Sequence, residues 1–230
     1  MTTTKRVLFV LSSATETLTG APAGWYLPEA AHPYYVLAAD PGISVDFAAP
    51  KGPNPPVDPA SVQGFPDDIP FLSDPAPKRL LETARVLATV SAADYDAVFY
   101  VGGHGPMMDL AADEANAKLL MDFWNANKIV SAVCHGPGAM VLAKLPNGDS
   151  ILKGKNVTGL SNAEEEAIGK TKDVPFLLED KLRELGSKYT LATKPFENYV
   201  VVDNGGKLIT GQNPASAKEV GQKILEALKA

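Results

Sequence analysis

Apolar residues are distributed along this chain in short, dense runs. Val7-Leu8-Phe9-Val10-Leu11, Ala97-Val98-Phe99-Tyr100-Val101 and the stretch Lys128 to Val133 are apolar at almost every position. Continuous runs of this length predict strands buried on both faces of a parallel sheet. Ile43 to Ala48 reads as a further strand, and Ile151 to Leu160 as a segment that returns to the sheet. Helical spacing falls between them: Leu27 to Ala39, with Pro28 tolerated in the first turn, Lys78 to Leu87, and Asp113 to Ala126. It recurs after Gly136-Pro137, in Val174 to Leu185 before Gly186, and in Ser216 to Leu228. Tyr199 to Asp203 and Lys207 to Thr210 flank Asn204-Gly205-Gly206, the signature of a β-hairpin. Strands alternating with helices and closed by a hairpin predict an α/β fold, with a doubly wound, mainly parallel sheet. Pro50 to Pro77, rich in Pro, Gly and Asp, reads as a long loop or family insertion of the kind that covers functional sites. No repeat or boundary divides residues 1–230, so a single domain is expected.

Composition narrows the class. The chain has 230 residues, 45% hydrophobic and 21% charged, with a formal net charge of −6. Such a balance is that of an ordinary soluble globular protein, and it disfavours a nucleic-acid partner. One cysteine allows no intrachain disulfide and fits a reducing, cytoplasmic location. Met1 to Arg6 lead into too short an apolar run for a signal peptide, and no stretch approaches a membrane span.

That cysteine, Cys134, carries the chemistry. It lies in Ala132-Val133-Cys134-His135-Gly136-Pro137-Gly138, between a strand and a helix start. Sharp strand-to-helix turns display nucleophiles, and a helix N-terminus favours a thiolate. Strand carboxyl ends share one edge of an open α/β sheet, so the Gly102-Gly103-His104-Gly105 turn faces the same edge. There Gly103 and His104 would serve the oxyanion or substrate. Glu29, in the first turn of the first helix, belongs to that edge too, and a carboxyl near a thiolate has a raised pKa. No histidine follows position 135, which leaves His135 as the base beside Cys134. A carboxylate orienting its ring would come from Glu164, Glu165 or Glu166. His32 reads as a packing or hydrogen-bonding residue. No histidine spacing fits a common zinc motif, so no metal is expected.

The elbow at 132–137, Gly-Gly-His-Gly at 102–105, Pro-Glu-Ala-Ala-His-Pro at 28–33 and Thr-Gly-Gln-Asn-Pro-Ala-Ser-Ala at 210–217 occur in that order among these motifs. Together they resemble the DJ-1/PfpI superfamily, within it the heat-shock-protein-31-like branch of glutathione-independent glyoxalases. The resemblance runs from the first strand to the last helix. It implies a flavodoxin-like fold of the class I glutamine-amidotransferase type and a homodimer. It also implies conversion of a 2-oxoaldehyde, methylglyoxal, to lactate with no cofactor or metal. By position it makes Cys134 the nucleophile, His135 its partner, Glu29 the proton-handling acid and Glu165 the third triad member. Rival expectations are a cysteine peptidase or amidase, a cysteine redox sensor, and a holdase chaperone with unfolded-protein clients. Asp173 to Leu178 departs from the pattern and bears on substrate access.

Overall fold

A computed structural model describes residues 4–230; the polar lead Met1 to Thr3 lies outside the described residues. In chain order the strands are β1 (Lys5–Val10), β2 (Ile43–Ala49), β3 (Arg85–Val86), β4 (Ala97–Tyr100), β5 (Ile129–Val133), β6 (Asn156–Val157), β7 (Lys188–Tyr189), β8 (Val200–Asp203) and β9 (Leu208–Gly211). The α-helices are α1 (Leu27–Ala38), α2 (Pro59–Gly64), α3 (Pro75–Glu82), α4 (Gly105–Met108), α5 (Glu114–Asn125), α6 (Asn162–Ala167), α7 (Leu178–Glu184) and α8 (Ala217–Lys229). Seven strands form one sheet in the order β3-β2-β1-β4-β5-β9-β8, and only β8 runs antiparallel to its neighbour. The chain winds from β1 outward through β2, then crosses to β4 on the other side. The crevice beyond the carboxyl ends of β1 and β4 is therefore the switch point where such sheets bind ligands.

Alternation along each central strand sorts its side chains between two cores. Val7 and Phe9 of β1, Ala97 and Phe99 of β4, and Ile129 and Val133 of β5 pack in one core with Leu27, Ala30 and Tyr34 of α1 and Val220 and Ile224 of α8. Leu8 and Val10, Val98 and Tyr100, and Val130 and Ala132 face the opposite core with Leu119, Leu120 and Phe123 of α5. Strands covered on both sides need apolar residues at both registers, which is why these runs do not alternate in polarity.

The structure corrects five expectations. Pro50 to Pro77 holds α2, a 3₁₀ helix over Pro66–Leu72 and the start of α3. Asp58 and Asp74 accept hydrogen bonds from Ala60 N–H (2.8 Å) and Ala76 N–H (3.1 Å), so each Asp-Pro pair caps and starts a helix. The helix read over Lys78 to Leu87 ends at Glu82, and Arg85–Val86 form the edge strand β3. Ile151 to Leu160 does not join the main sheet. Both edges of β5 are taken, by β4 and β9, and β6 pairs with β7 in a separate ribbon. After Cys134 the chain makes a 3₁₀ turn over Gly136–Met140 in place of an α-helix. Asn116 Nδ2 donates to Ala139 O at 2.7 Å and so occupies a carbonyl that a helix would use. Finally, α7 begins at Leu178, past Val174, where Pro175 disfavours helical backbone. The hairpin stands as read, with Asn204, Gly205 and Gly206 all at positive φ. Among the described residues no helix is long and apolar enough to cross a membrane.

Gly221 of α8 lies against α1, where an added Cβ would stand 2.7 Å from Pro33 Cα. Gly221→Ala forces apart two helices that position Glu29, and overpacking of this kind costs about 1–3 kcal/mol. Thermal unfolding followed by circular dichroism should show a midpoint lowered by several degrees. An unchanged midpoint would mean that α1 and α8 do not pack this closely.

Candidate active site

Cys134 follows β5 with φ 58°, the left-handed region that a non-glycine residue occupies only when its surroundings enforce it. Both its backbone groups are committed. Its N–H donates to Gly211 O (3.0 Å), and its carbonyl accepts from Leu160 N–H (2.9 Å). The elbow thus turns the side chain out of the sheet towards the Gly102-Gly103 turn. The sequence expectation of a thiolate favoured by a helix dipole is corrected here. Burial pushes the thiol well above its ordinary pKa, against the N–H groups of Gly103 and His135. No α-helix follows to supply the opposing dipole. The resting sulfur is a thiol.

Glu29, in the first turn of α1, is completely buried, and neither carboxyl oxygen makes a hydrogen bond of full geometry. Burial raises its pKa well above the carboxylate range; the Cys134 side chain and the N–H groups of Gly102 and Gly103 only moderate the rise. Gly102 makes the arrangement fit. A Cβ there would stand 2.2 Å from Glu29 Oε2 and 2.8 Å from Cys134 Cβ, so only glycine leaves room for the two side chains at this turn. Burial in this setting favours the protonated, uncharged carboxyl.

On the other side of the sulfur, His135 Nδ1 lies 3.5 Å from Cys134 Sγ. His135 Nε2 is 2.6 Å from Glu165 Oε2, and His104 Nε2 is 2.9 Å from Glu165 Oε1. An ionised carboxylate only accepts, so both rings donate Nε2–H to it. The neutral His135 then presents Nδ1 to the thiol as an acceptor. Burial first, and His104 second, lower the His135 pKa, and Glu165 acts against them. Glu165 resists burial too, yet the two histidine hydrogen bonds hold it far below the usual carboxylate range. His104 and Glu165 with His135 offer metal-ligand atoms within 4.8 Å of one another. In this geometry those atoms already satisfy each other by N–H···O bonds.

The three consecutive glutamates separate cleanly. Glu165 meets His135, Glu166 is exposed, and Glu164 is buried with a different task. Its carboxylate accepts from Ser161 N–H and Oγ–H, Gln212 Nε2 (2.9 Å), Asn213 Nδ2 (2.8 Å) and Phe196 N–H (2.7 Å). It ties α6 to the segments at 190–199 and 211–214. Gln212 and Asn213 belong to the Thr-Gly-Gln-Asn-Pro motif, to which sequence reasoning gave no physical role. Phe65 and Phe196 were also missed, since a lone aromatic in a polar loop carries no pattern. His32 sits away from the sulfur and pairs with Asp68 at 3.0 Å. Gly103 and His104 line a cavity of about 150 Å³ together with Cys134 and His135; its other walls are mainly apolar, and it contains no Lys or Arg.

A doubly wound sheet with a strained cysteine elbow at its switch point defines a class of α/β proteins. Within that class the chain belongs to the DJ-1/PfpI family, whose profile matches residues 27–227. It is 29% identical to the glutathione-independent glyoxalase HSP31 of Saccharomyces cerevisiae, over 98% of each chain. Glyoxalase III of Candida albicans superposes with a TM-score of 0.84 at 25% identity, over 97% of each chain. The Rapid Encystment Protein 24 KDa of Francisella tularensis superposes with a TM-score of 0.90 at 37% identity, over 97% of this chain and 99% of its own.

A neutral, buried Glu29 has a consequence for stability. Its folded pKa exceeds its unfolded value of about 4.3, so its contribution is fully present below that pH and is lost as pH rises through the folded pKa. Glu29→Gln has no such dependence. The melting temperature of the variant minus that of the parent should therefore grow steadily from pH 4.5 to 8, whatever its value at the start. Parallel curves would mean that Glu29 is ionised in the fold.

Proposed function

We propose that this protein converts methylglyoxal and related small 2-oxoaldehydes to 2-hydroxy acids, lactate in the case of methylglyoxal, without glutathione. The observation that carries the reading is the placement of a thiol between a neutral carboxylic acid and a carboxylate-oriented imidazole, inside a cavity sized for a three-carbon dicarbonyl. The names of the relatives agree with it.

The resting groups are a thiol, a neutral His135, a protonated Glu29 and an ionised Glu165. Cys134 Sγ attacks the aldehyde carbon C1 as its proton passes to His135 Nδ1. Glu29 gives its proton to the aldehyde oxygen, and the N–H groups near Gly103 and His135 support that oxygen as charge develops. The product is a hemithioacetal, with Glu29 now an anion and His135 a cation stabilised by Glu165. Glu29 then removes the C1 proton. The electron pair forms a C1–C2 double bond, and the C2 oxygen takes the proton from His135. Glu29 returns its proton to C2 while His135 accepts the proton of the C1 hydroxyl, leaving a 2-hydroxyacyl thioester. Water attacks C1 with loss of a proton to Glu29, the C1–S bond breaks, and sulfur regains its proton from His135. Carbon C1 has been oxidised and C2 reduced within one molecule, so electrons balance without an external carrier. The acid gives its carboxyl proton to solvent and leaves as lactate from a cavity lined by no Lys or Arg.

A proteolytic or amidase reading meets a cavity too small for a peptide, and a resting redox sensor meets a thiol whose pKa is raised.

Purified protein incubated with methylglyoxal alone should form lactate, and Cys134→Ser should reduce it to background with circular dichroism unchanged. Lactate from the serine variant at a comparable rate would end the covalent scheme. The rate should also fall at acidic pH as His135 protonates, with a midpoint below 6.5, since burial lowers that pKa. In Glu165→Gln the midpoint should move lower still, because the carboxylate that favours the imidazolium is gone. Activity there should drop by ~10²–10⁴-fold. An acid limb unmoved in Glu165→Gln would exclude the proposed role of the carboxylate.

A further inference from the structure

The inner cavity at Cys134 is partly enclosed, with Phe65 and Phe196 in its wall. A second, outer recess of about 470 Å³ adjoins it, and the two share three wall residues: Phe65, Phe196 and Pro214. Phe196 stands out among them. It has φ 64°, and for a bulky residue the left-handed region is a genuine outlier. The residue is 44% exposed, so burial does not explain the strain. A backbone hydrogen bond does: Phe196 N–H donates to the buried Glu164 Oε1 at 2.7 Å. The irregular segment around it is exposed, yet it is held along its length. Ala192 N–H donates to Gln212 Oε1 (2.7 Å), Asn213 Nδ2 to Glu197 O (2.7 Å), and Tyr199 N–H to Ser216 Oγ (3.0 Å). Phe65 is fixed in turn by an edge-to-face contact with Tyr26, ring centroids 5.7 Å apart.

From these observations we infer that Phe196 and Phe65 form a fixed aromatic gate between the outer recess and Cys134, which admits small uncharged dicarbonyls and excludes substrates carrying a ring or a polypeptide. A strained residue persists where its surroundings over-determine it, and here the strain places an aromatic ring at a cavity mouth. The tethers distinguish a gate from a lid. A lid would swing open to any reagent alike, whereas a fixed gate discriminates by size. The specificity deepens the function proposed above, but its test does not depend on turnover.

Cys134 is the sole cysteine of the chain, so alkylation followed by mass spectrometry reads this site alone. Labelling rates with iodoacetamide and with N-phenylmaleimide, each divided by the rate on the urea-unfolded chain, give a bulky-to-small ratio free of intrinsic reactivity. The folded parent should give a ratio at least tenfold below unity. Phe196→Ala and Phe196→Gly should each raise it tenfold or more, and Phe65→Ala should do so from the opposite wall. Phe196→Gly keeps the tethering N–H and relieves the left-handed strain, so it should melt above Phe196→Ala and serves if the alanine variant folds poorly. A parent ratio near unity, or a smaller rise in natively folded variants, would overturn the gate. Loss of the methylglyoxal reaction with the labelling ratios intact would instead count against the function and leave the gate standing.

Discussion

A carboxyl group sealed from water with no full hydrogen bond cannot keep a charge, and Glu29 imposes that rule on everything around it. Ionising it in place would leave an anion unsolvated beside sulfur. It therefore holds its proton, and the neighbouring thiol is spared the repulsion that a carboxylate would bring. In the reaction proposed above, the same proton is the one an attacked aldehyde oxygen needs, and its loss creates a base next to the carbon that must be deprotonated. Gly102 is part of this constraint, since any side chain there would occupy the space between Glu29 and Cys134.

Glu164 and Glu165 show how adjacent residues of one type reach opposite ends through their partners. Glu165 receives two imidazole N–H bonds and remains an anion that orients His135. Glu164 receives only neutral donors, five of them, and draws together three separate segments. Because the two are consecutive in the first turn of α6, the hub that fixes the cavity mouth and the carboxylate that aims the imidazole share one rigid support. A displacement of either would move the other. The amides of Gln212 and Asn213 are bound to that support, which gives the motif at 210–217 a physical reason.

The strands that carry the site were legible because their burial on two faces leaves a continuous apolar run, as in Val7 to Leu11 and Ala97 to Val101. The elbow was legible from its place after such a run, and Glu29 from its place in the first turn of the next helix. Other features left weaker traces. The Asp-Pro pairs at 58–59 and 74–75 have loop composition yet start helices, and composition masked the cap. The destination of Ile151 to Leu160 depended on which strand claimed the free edge of β5, a long-range competition that local pattern does not contain. The ionisation of Cys134 was misread for the same reason. A dipole was inferred from neighbours in sequence, but desolvation by residues far along the chain decides the pKa.

Three departures from local preference meet at the Cys134 cavity. Cys134 and Phe196 occupy left-handed backbone, and Glu29 is buried without a full hydrogen bond. Each alone is destabilising, by about 1–3 kcal/mol for a strained non-glycine residue. The framework around them follows local rules: apolar strands at the centre, Asp-capped helices, an Asn-Gly hairpin. Exceptions that cluster around a cavity are of the kind kept for a reason that stability does not supply. The consistent part makes the exceptions tolerable, because two cores packed on both faces of a parallel sheet hold the elbow from below and the first turn of α1 from the side. Relief of strain at Cys134 would require β5 to shift against β4 and β9 together. The thiol thus stays in position because moving it would disturb the whole sheet.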